Sequence, residues 1–313
     1  MALSTFADGR FWGTRYGVGT PWVLALHGWC RDHHDFDGVL EGLDAIAVDL
    51  PGFGVAPEPP APWSTEEYGR ELLPVLRELD PAGAVVLGHS FGGRVAVHLA
   101  ALSAGRGAAT EPSAGAGAGA GTGPGPEAGL PPVGAPGTPF GTPLTAPPCD
   151  PPVRALVLTG APIAPAPGQV PSGPPLAYKV VKWLHRAGLA DERRMEKWRQ
   201  KSGSDDYRRA TPLMRGVLVK AVGETRAEGY TAALRDWATN GRPLELVWGE
   251  NDTAASLDGV LALLARPPAI GSRVTLVPGA GHLIGPRTAT ALREALGRAS
   301  LLPAPKEGAP PSP

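Results

Sequence analysis

Short apolar runs recur along the chain, separated by longer stretches in which apolar positions return every three or four residues. The short runs fall at 9–16, 22–26, 45–48, 84–87, 155–158, 244–247 and 274–277, and most lack strict apolar/polar alternation. Strands covered on both faces carry that pattern, because neither face meets water. The periodic stretches predict helices at 65–79, 92–102, 228–239, 257–264 and 287–298. Ser64 followed by Glu67 is a capping-box pattern that starts the first of them. Strands alternating with helices predict an α/β fold, a mainly parallel sheet with helices on both faces.

Two stretches interrupt this rhythm. Residues 103–152 pass from Ala-Gly alternation into Pro-Gly-Thr repeats, with Arg106, Glu111, Glu127 and Asp150 as the charged positions. So little apolar side-chain mass cannot offset the entropy of ordering, and the segment is expected to be disordered, as is the tail 301–313. Residues 163–225 are helical in pattern, basic and bracketed by Pro-rich turns. They read as an inserted helical cap, the alternative being extra helices packed on the sheet edge. The α/β core would then comprise 1–102, 153–162 and 226–300.

Bulk properties narrow the function. A chain of 313 residues can bury one large domain with an inserted subdomain. A net charge of −1 argues against nucleic acid as the main partner. No apolar run reaches the length of a membrane span, and residues 1–10 show neither a basic leader nor an apolar core for export. Cys30 and Cys149, the two cysteines, suit neither a disulfide framework nor a metal finger, so a reducing cytoplasm is the expected location.

The chemistry concentrates at strand ends. Val85-Val86-Leu87-Gly88-His89-Ser90-Phe91-Gly92-Gly93 is a strand, a GxSxG turn and an apolar helix. A serine on such a turn is exposed at a helix N-terminus, with Gly88 and Gly92 relieving the crowding and the Phe91 N–H free for an oxyanion. A serine nucleophile needs a base, and the base needs an orienting acid. Of the seven histidines, His282 is best placed, in a Gly-rich loop after the last strand. For the acid, Glu250 and Asp252 both follow a strand end, and Asp252 is preferred. The order Ser90, Asp252, His282 is that of a nucleophile-elbow hydrolase. His27-Gly28-Trp29 closes another strand, where its expected role is to aim the Trp29 N–H at the same oxyanion, with His27 holding the loop. His89 is expected to pack near the turn and His98 to lie in the core or on the surface of the following helix. Arg31-Asp32-His33-His34-Asp35 is read as a polar loop entering a helix rather than a metal site, and Cys30 as a small buried residue.

Taken in order, HGW (27–29), DLPGFG (49–54), GHSFGG (88–93), WGENDT (248–253) and GAGH (279–282) resemble the motifs of α/β-hydrolase-fold enzymes. The resemblance covers the chain apart from the 103–152 insert and the tail. It implies an eight-stranded, mostly parallel sheet with a helical cap after the sixth strand, and acyl chemistry without a cofactor or metal. It also implies Ser90 as nucleophile, Asp252 as acid and His282 as base. Serine rather than aspartate at 90 sets the chain apart from the dehalogenase and epoxide hydrolase branches. Two features depart from the family pattern. The insert follows the nucleophile helix and is expected to emerge opposite the site, and Asp252 is followed by Thr-Ala-Ala-Ser.

The expected activity is hydrolysis of a carboxylic ester or related small acyl compound. C–C bond hydrolysis, acyl transfer, perhydrolysis and a non-catalytic ligand-binding role are the alternatives. Between Lys179 and Arg209 the cap carries ten Lys or Arg against five Asp or Glu. That excess suits either an anionic or carrier-bound substrate or a solvated helix face. Tyr178, Trp183, Leu184 and Trp198 are expected as a pocket roof or as packing within the cap.

Overall fold

The computed structural model describes residues 2–105, 152–166, 168, 205–224, 228–264 and 272–301. Its centre is a sheet of eight strands: β1 (Leu3–Phe6), β2 (Phe11–Tyr16), β3 (Val23–Leu26), β4 (Ala45–Asp49), β5 (Ala84–His89), β6 (Val153–Thr159), β7 (Leu244–Gly249) and β8 (Ser272–Val277). They lie in the order β1-β2-β4-β3-β5-β6-β7-β8. β2 pairs antiparallel with both β1 and β4, and every other pair is parallel. From β3 the chain steps outward to β4, then returns past β3 to β5. This reversal opens a crevice at the carboxyl ends of β3 and β5, where open α/β sheets bind ligands.

The apolar runs are continuous because both faces are covered. Leu24, Leu26, Ile46, Val48, Val86, Leu156 and Leu158 share one core with residues of α2 (Thr65–Leu76) and α3 (Phe91–Ser103). Val23, Ala25, Ala45, Ala47, Val85, Leu87 and Val157 share the opposite core with α1 (Asp37–Leu40) and α8 (Pro286–Ser300). All seven strands expected from the apolar runs form, within two residues of the expected ends. The first of them starts at Phe11 rather than at 9, because Ala7, Asp8 and Gly9 take positive φ and turn the chain back from β1. β1 has no apolar run of its own and forms by pairing along β2. The Ser64–Glu67 capping box is present on α2. That helix stops at Leu76, short of 79. Pro74 withholds an N–H from the ladder, and the Arg77 N–H bonds to the Pro74 carbonyl in a tighter turn.

Between β6 and β7 lie α4 (Asp205–Arg209), α5 (Pro212–Glu224) and α6 (Glu228–Thr239), and α7 (Leu257–Leu264) follows β7. Most of the 163–225 segment expected as a cap, with Tyr178, Trp183, Leu184 and Trp198, lies outside the described residues. Residues 205–224 are largely helical, and α5 is fastened to the core at several points. The Glu224 carboxylate accepts from the Thr65 N–H at 2.9 Å and from the Thr65 hydroxyl at 2.6 Å, capping α2 from outside. Buried Arg94, on α3, donates to the Ala221 carbonyl of α5 and, at 2.9 Å, to the Pro162 carbonyl.

The disorder expected of 103–152 and of the tail falls almost wholly outside the described residues, but the roots of the insert are defined. α3 runs away from Ser90 and ends at Ser103, whose hydroxyl accepts from the Val153 N–H at 3.4 Å where β6 begins. The excursion therefore leaves and re-enters at one place, at the amino edge of the sheet. Replacing residues 106–151 by a linker of about four residues is expected to leave the thermal unfolding midpoint unchanged within about 3 °C. Loss of cooperative unfolding in that variant would show instead that the segment belongs to the core.

Candidate active site

The turn after β5 places Ser90 at φ +50° and ψ −113°, a left-handed backbone for a residue with a side chain. Two glycines permit it by close approach. A Cβ at 88 would lie 2.5 Å from the Gly93 Cα, and one at 92 would lie 2.1 Å from the Leu26 carbonyl oxygen. Neighbouring strands hold the turn from both sides: the Ser90 N–H donates to the Thr159 carbonyl and the Gly92 N–H to the His27 carbonyl, both at 3.0 Å. Ser90 thus stands at the start of α3 with its side chain clear of the sheet.

Two further loops converge on it. His282, in the loop after β8, brings Nε2 to 3.0 Å from Ser90 Oγ. Its Nδ1 lies 2.9 and 3.0 Å from the two oxygens of Asp252, in the loop after β7. The acid and base loops are laced together: Asn251 N–H donates to the Ala280 carbonyl at 2.8 Å and Glu250 N–H to the Val277 carbonyl at 3.1 Å. The Glu250 carboxylate does not face His282. It accepts from the Gly279 N–H at 2.9 Å and so clasps the same two loops. Burial alone would raise the Asp252 carboxyl, but hydrogen bonds from His282 and from the Ala255 and Ala254 amides outweigh it. The carboxyl is held below its ordinary range. A carboxylate accepts only, so the His282 Nδ1 carries the proton and Nε2 presents its lone pair to the serine hydroxyl. Gly160, after β6, is a member of the site that local pattern did not reveal. A Cβ there would lie 3.1 Å from the Asp252 carboxylate and from the His282 ring. Its one readable sign is a glycine directly past the carboxyl end of a strand.

His27 holds its loop. Its Nδ1 lies 2.8 Å from the Gly28 carbonyl, and its Nε2 accepts from the Leu50 N–H at 2.9 Å. Among the described residues, neither the Trp29 nor the Phe91 backbone N–H meets an acceptor. The Trp29 ring packs edge-on against Phe53 and Phe91, with centroids 4.9 and 5.5 Å apart. An apolar aromatic wall therefore adjoins the serine.

The polar side chains of the 31–35 loop have protein partners. His33 bonds to the buried Asp49 carboxylate through its backbone N–H (2.8 Å) and Nδ1 (2.7 Å). His34 pairs with Asp37 at 3.0 Å, and Asp35 accepts from Arg31 Nε at 2.8 Å. Among the described residues no three His, Cys, Asp or Glu side chains group as metal ligands. His98 sits half-buried on α3 where that helix meets α2. One expectation is corrected: Cys30 is exposed, not buried. At φ +54° its turn directs the thiol outward, and the Trp29 ring fills the apolar space instead. Partial burial and the nearby Asp206 raise the Cys30 thiol.

A family model described as alpha/beta hydrolase fold matches residues 21–285. An esterase of Mycobacterium tuberculosis is 42% identical over 92 residues, covering 28% of this chain and 31% of that protein. A lipase of the same organism is 39% identical over 95 residues, covering 28% of this chain and 34% of that protein. The chain thus spans about a third of the length of these curated relatives. A solved thermophilic esterase from Thermogutta terrifontis superposes with a TM-score of 0.55 at 18% identity, covering 96% of this chain and 99% of that one. At that identity the likeness speaks to the fold alone.

Burial also sets the acid response of stability. It pushes the His89 imidazole down from 6.5 to about 4, does the same to His98, and lowers His27. Between about pH 4 and 6.5 the unfolded chain holds protons on these rings that the folded protein excludes. Stability therefore rises with pH across this window and is lost as pH falls through it. His34, raised by its bond to Asp37, opposes the trend from an exposed position. Urea unfolding measured across the window is expected to show this slope. His89→Gln should reduce it by up to about 1.4 kcal/mol per pH unit.

Proposed function

Because the chain belongs to the alpha/beta hydrolase fold family, we propose that it is a serine hydrolase acting on a carboxylic ester or related small acyl compound. The observation that carries this reading is the continuous hydrogen-bonded line from Ser90 Oγ through the His282 ring to Asp252. In this mechanism Ser90 Oγ attacks the substrate carbonyl carbon while His282 Nε2 takes the hydroxyl proton. The tetrahedral oxyanion lies between the Trp29 and Phe91 N–H groups, whose donors are fixed before the charge develops. Collapse expels the alcohol, which leaves with the proton from His282, and Ser90 retains the acyl group as an ester. Water then attacks that ester with His282 again as base, releasing the carboxylic acid and restoring the serine. Asp252 keeps His282 in the required tautomer and stabilises the imidazolium. The wall formed by Trp29, Phe53 and Phe91 favours an apolar substituent beside the scissile bond. The 163–225 segment is proposed as the cap that completes the pocket.

The test is turnover of p-nitrophenyl esters from acetate to decanoate by the full chain and its variants. Ser90→Ala and His282→Ala are each expected to lower kcat by about 10⁴-fold or more, and Asp252→Asn by about 10⁴-fold. Absence of turnover by the wild type, with its fold intact, would shift the assignment to C–C cleavage, a specialised acyl acceptor or ligand binding.

A further inference from the structure

We propose that His89 is a positioning residue for this site: its Nε2–H bonds to the His282 carbonyl and fixes the base-bearing loop against the nucleophile turn. The inference rests on the roles given above to Ser90 and His282. His89 is the last residue of β5, adjoining Ser90 in sequence, and its ring is 1% exposed. Nε2 lies 3.0 Å from the His282 carbonyl oxygen, and the two imidazole rings are 5.2 Å apart between centroids. A carbonyl can only accept, so Nε2 carries the proton and Nδ1 the lone pair. Among the described residues Nδ1 has no hydrogen-bond partner, with Asp35 Oδ2 3.9 Å away. Burial keeps the ring neutral down to about pH 4. On its other side the ring abuts the loop after β3. A Cβ on Gly28 would lie 3.0 Å from His89 Nδ1 and 3.2 Å from Ser90 Cβ.

This placement explains a polar ring where packing alone would favour an apolar one. The base loop is held toward the acid side by the bonds of Asn251 and Glu250. On the nucleophile side, His89 is the side chain among the described residues that reaches the His282 backbone. Without it, His282 is anchored through the acid loop, and the 3.0 Å approach to Ser90 Oγ loses a direct restraint. Misplacement of a reacting group by about 1 Å lowers a rate by about 10²-fold.

The experiment compares the full-length wild type with His89→Leu, which keeps bulk without a donor, and His89→Gln, whose amide nitrogen can reach the same carbonyl. In ¹⁵N-histidine-labelled protein at pH 7, NMR is expected to show His89 in the Nε2–H tautomer and His27 in the Nδ1–H tautomer. The downfield Nδ1 proton of His282 should remain sharp in His89→Gln and broaden in His89→Leu. With p-nitrophenyl esters, His89→Leu should lose about 10- to 100-fold in kcat with KM within about twofold. His89→Gln should stay within about fivefold of the wild type. An Nδ1–H tautomer at His89, or equal kcat in wild type and His89→Leu, would overturn the positioning role and leave the hydrolase assignment standing. If the wild type turns over no ester, the ester-hydrolase reading fails. The tautomer and the sharpness of the His282 proton then still decide whether His89 holds that loop.

Discussion

Ser90 is held at φ +50°, where a residue with a Cβ is strained by about 1–3 kcal/mol, and much of the architecture is needed to keep it there. An isolated turn would relax. Here the Ser90 N–H is taken by Thr159 at the end of β6, and the Gly92 N–H by His27 just past β3. Both strands must therefore flank β5, as they do in the observed order. Gly88 and Gly92 are required because the helix backbone presses directly onto the strand end and onto the loop after β3. The result is a side chain projected from the start of a helix into a crevice that the strand reversal has already opened. Local strain, strand order and crevice are thus one arrangement seen at three scales.

Within that arrangement, surroundings give three imidazoles three different jobs. His27, wholly buried between a carbonyl and an N–H, is pinned neutral with its proton on Nδ1. His89 is also buried and neutral, but the carbonyl it faces draws the proton to Nε2. His282 keeps a quarter of its side chain exposed and meets a buried carboxylate at Nδ1. Of the three, it alone combines access to solvent with a carboxylate partner. Burial leaves His27 and His89 as fixed neutral dipoles, whereas His282, partly exposed beside Asp252, is the imidazole whose Nε2 faces Ser90.

How much of this could be read from the chain depended on whether the information was local. The buried strands were legible because covering both faces forces unbroken apolar runs, and the elbow because strand, GxSxG turn and helix follow one another in a single short stretch, although Gly92 itself answers to the distant Leu26 and His27 carbonyls. β1 was not, since Leu3–Phe6 is a strand only by virtue of pairing with β2. The choice between Glu250 and Asp252 was likewise beyond local pattern. Both follow the same strand, and only the docking of the base loop gives Glu250 to the Gly279 amide and Asp252 to His282. Cys30 was misread for a related reason. It follows the apolar Trp29 in the loop after a buried strand, but a positive φ turns it outward. Gly160 and the bond from His89 depend on contacts between distant segments, which no spacing in the chain encodes.

The two edges of the sheet explain how one chain tolerates so long an excursion yet keeps so exact a constellation. At the amino edge, Ser103 and Val153 meet through a hydrogen bond, so the connection between them begins and ends at a joint that is already closed. Lengthening such a connection adds closure entropy only as the logarithm of its length. At the carboxyl edge the connections after β3, β5, β7 and β8 carry Trp29, Ser90, Asp252 and His282. These loops are bound to one another by backbone and side-chain bonds rather than left to solvent. An insertion there would have to break several of those bonds together. The 163–225 segment is the intermediate case. It enters after β6 at the carboxyl edge, but Glu224, Ala221 and Pro162 tie its roots to Thr65 and Arg94 on the helices below. The roots of that segment are thus fixed by α2 and by α3, the helix that starts at the turn of Ser90, and the loops of Asp252 and His282 are held independently of it.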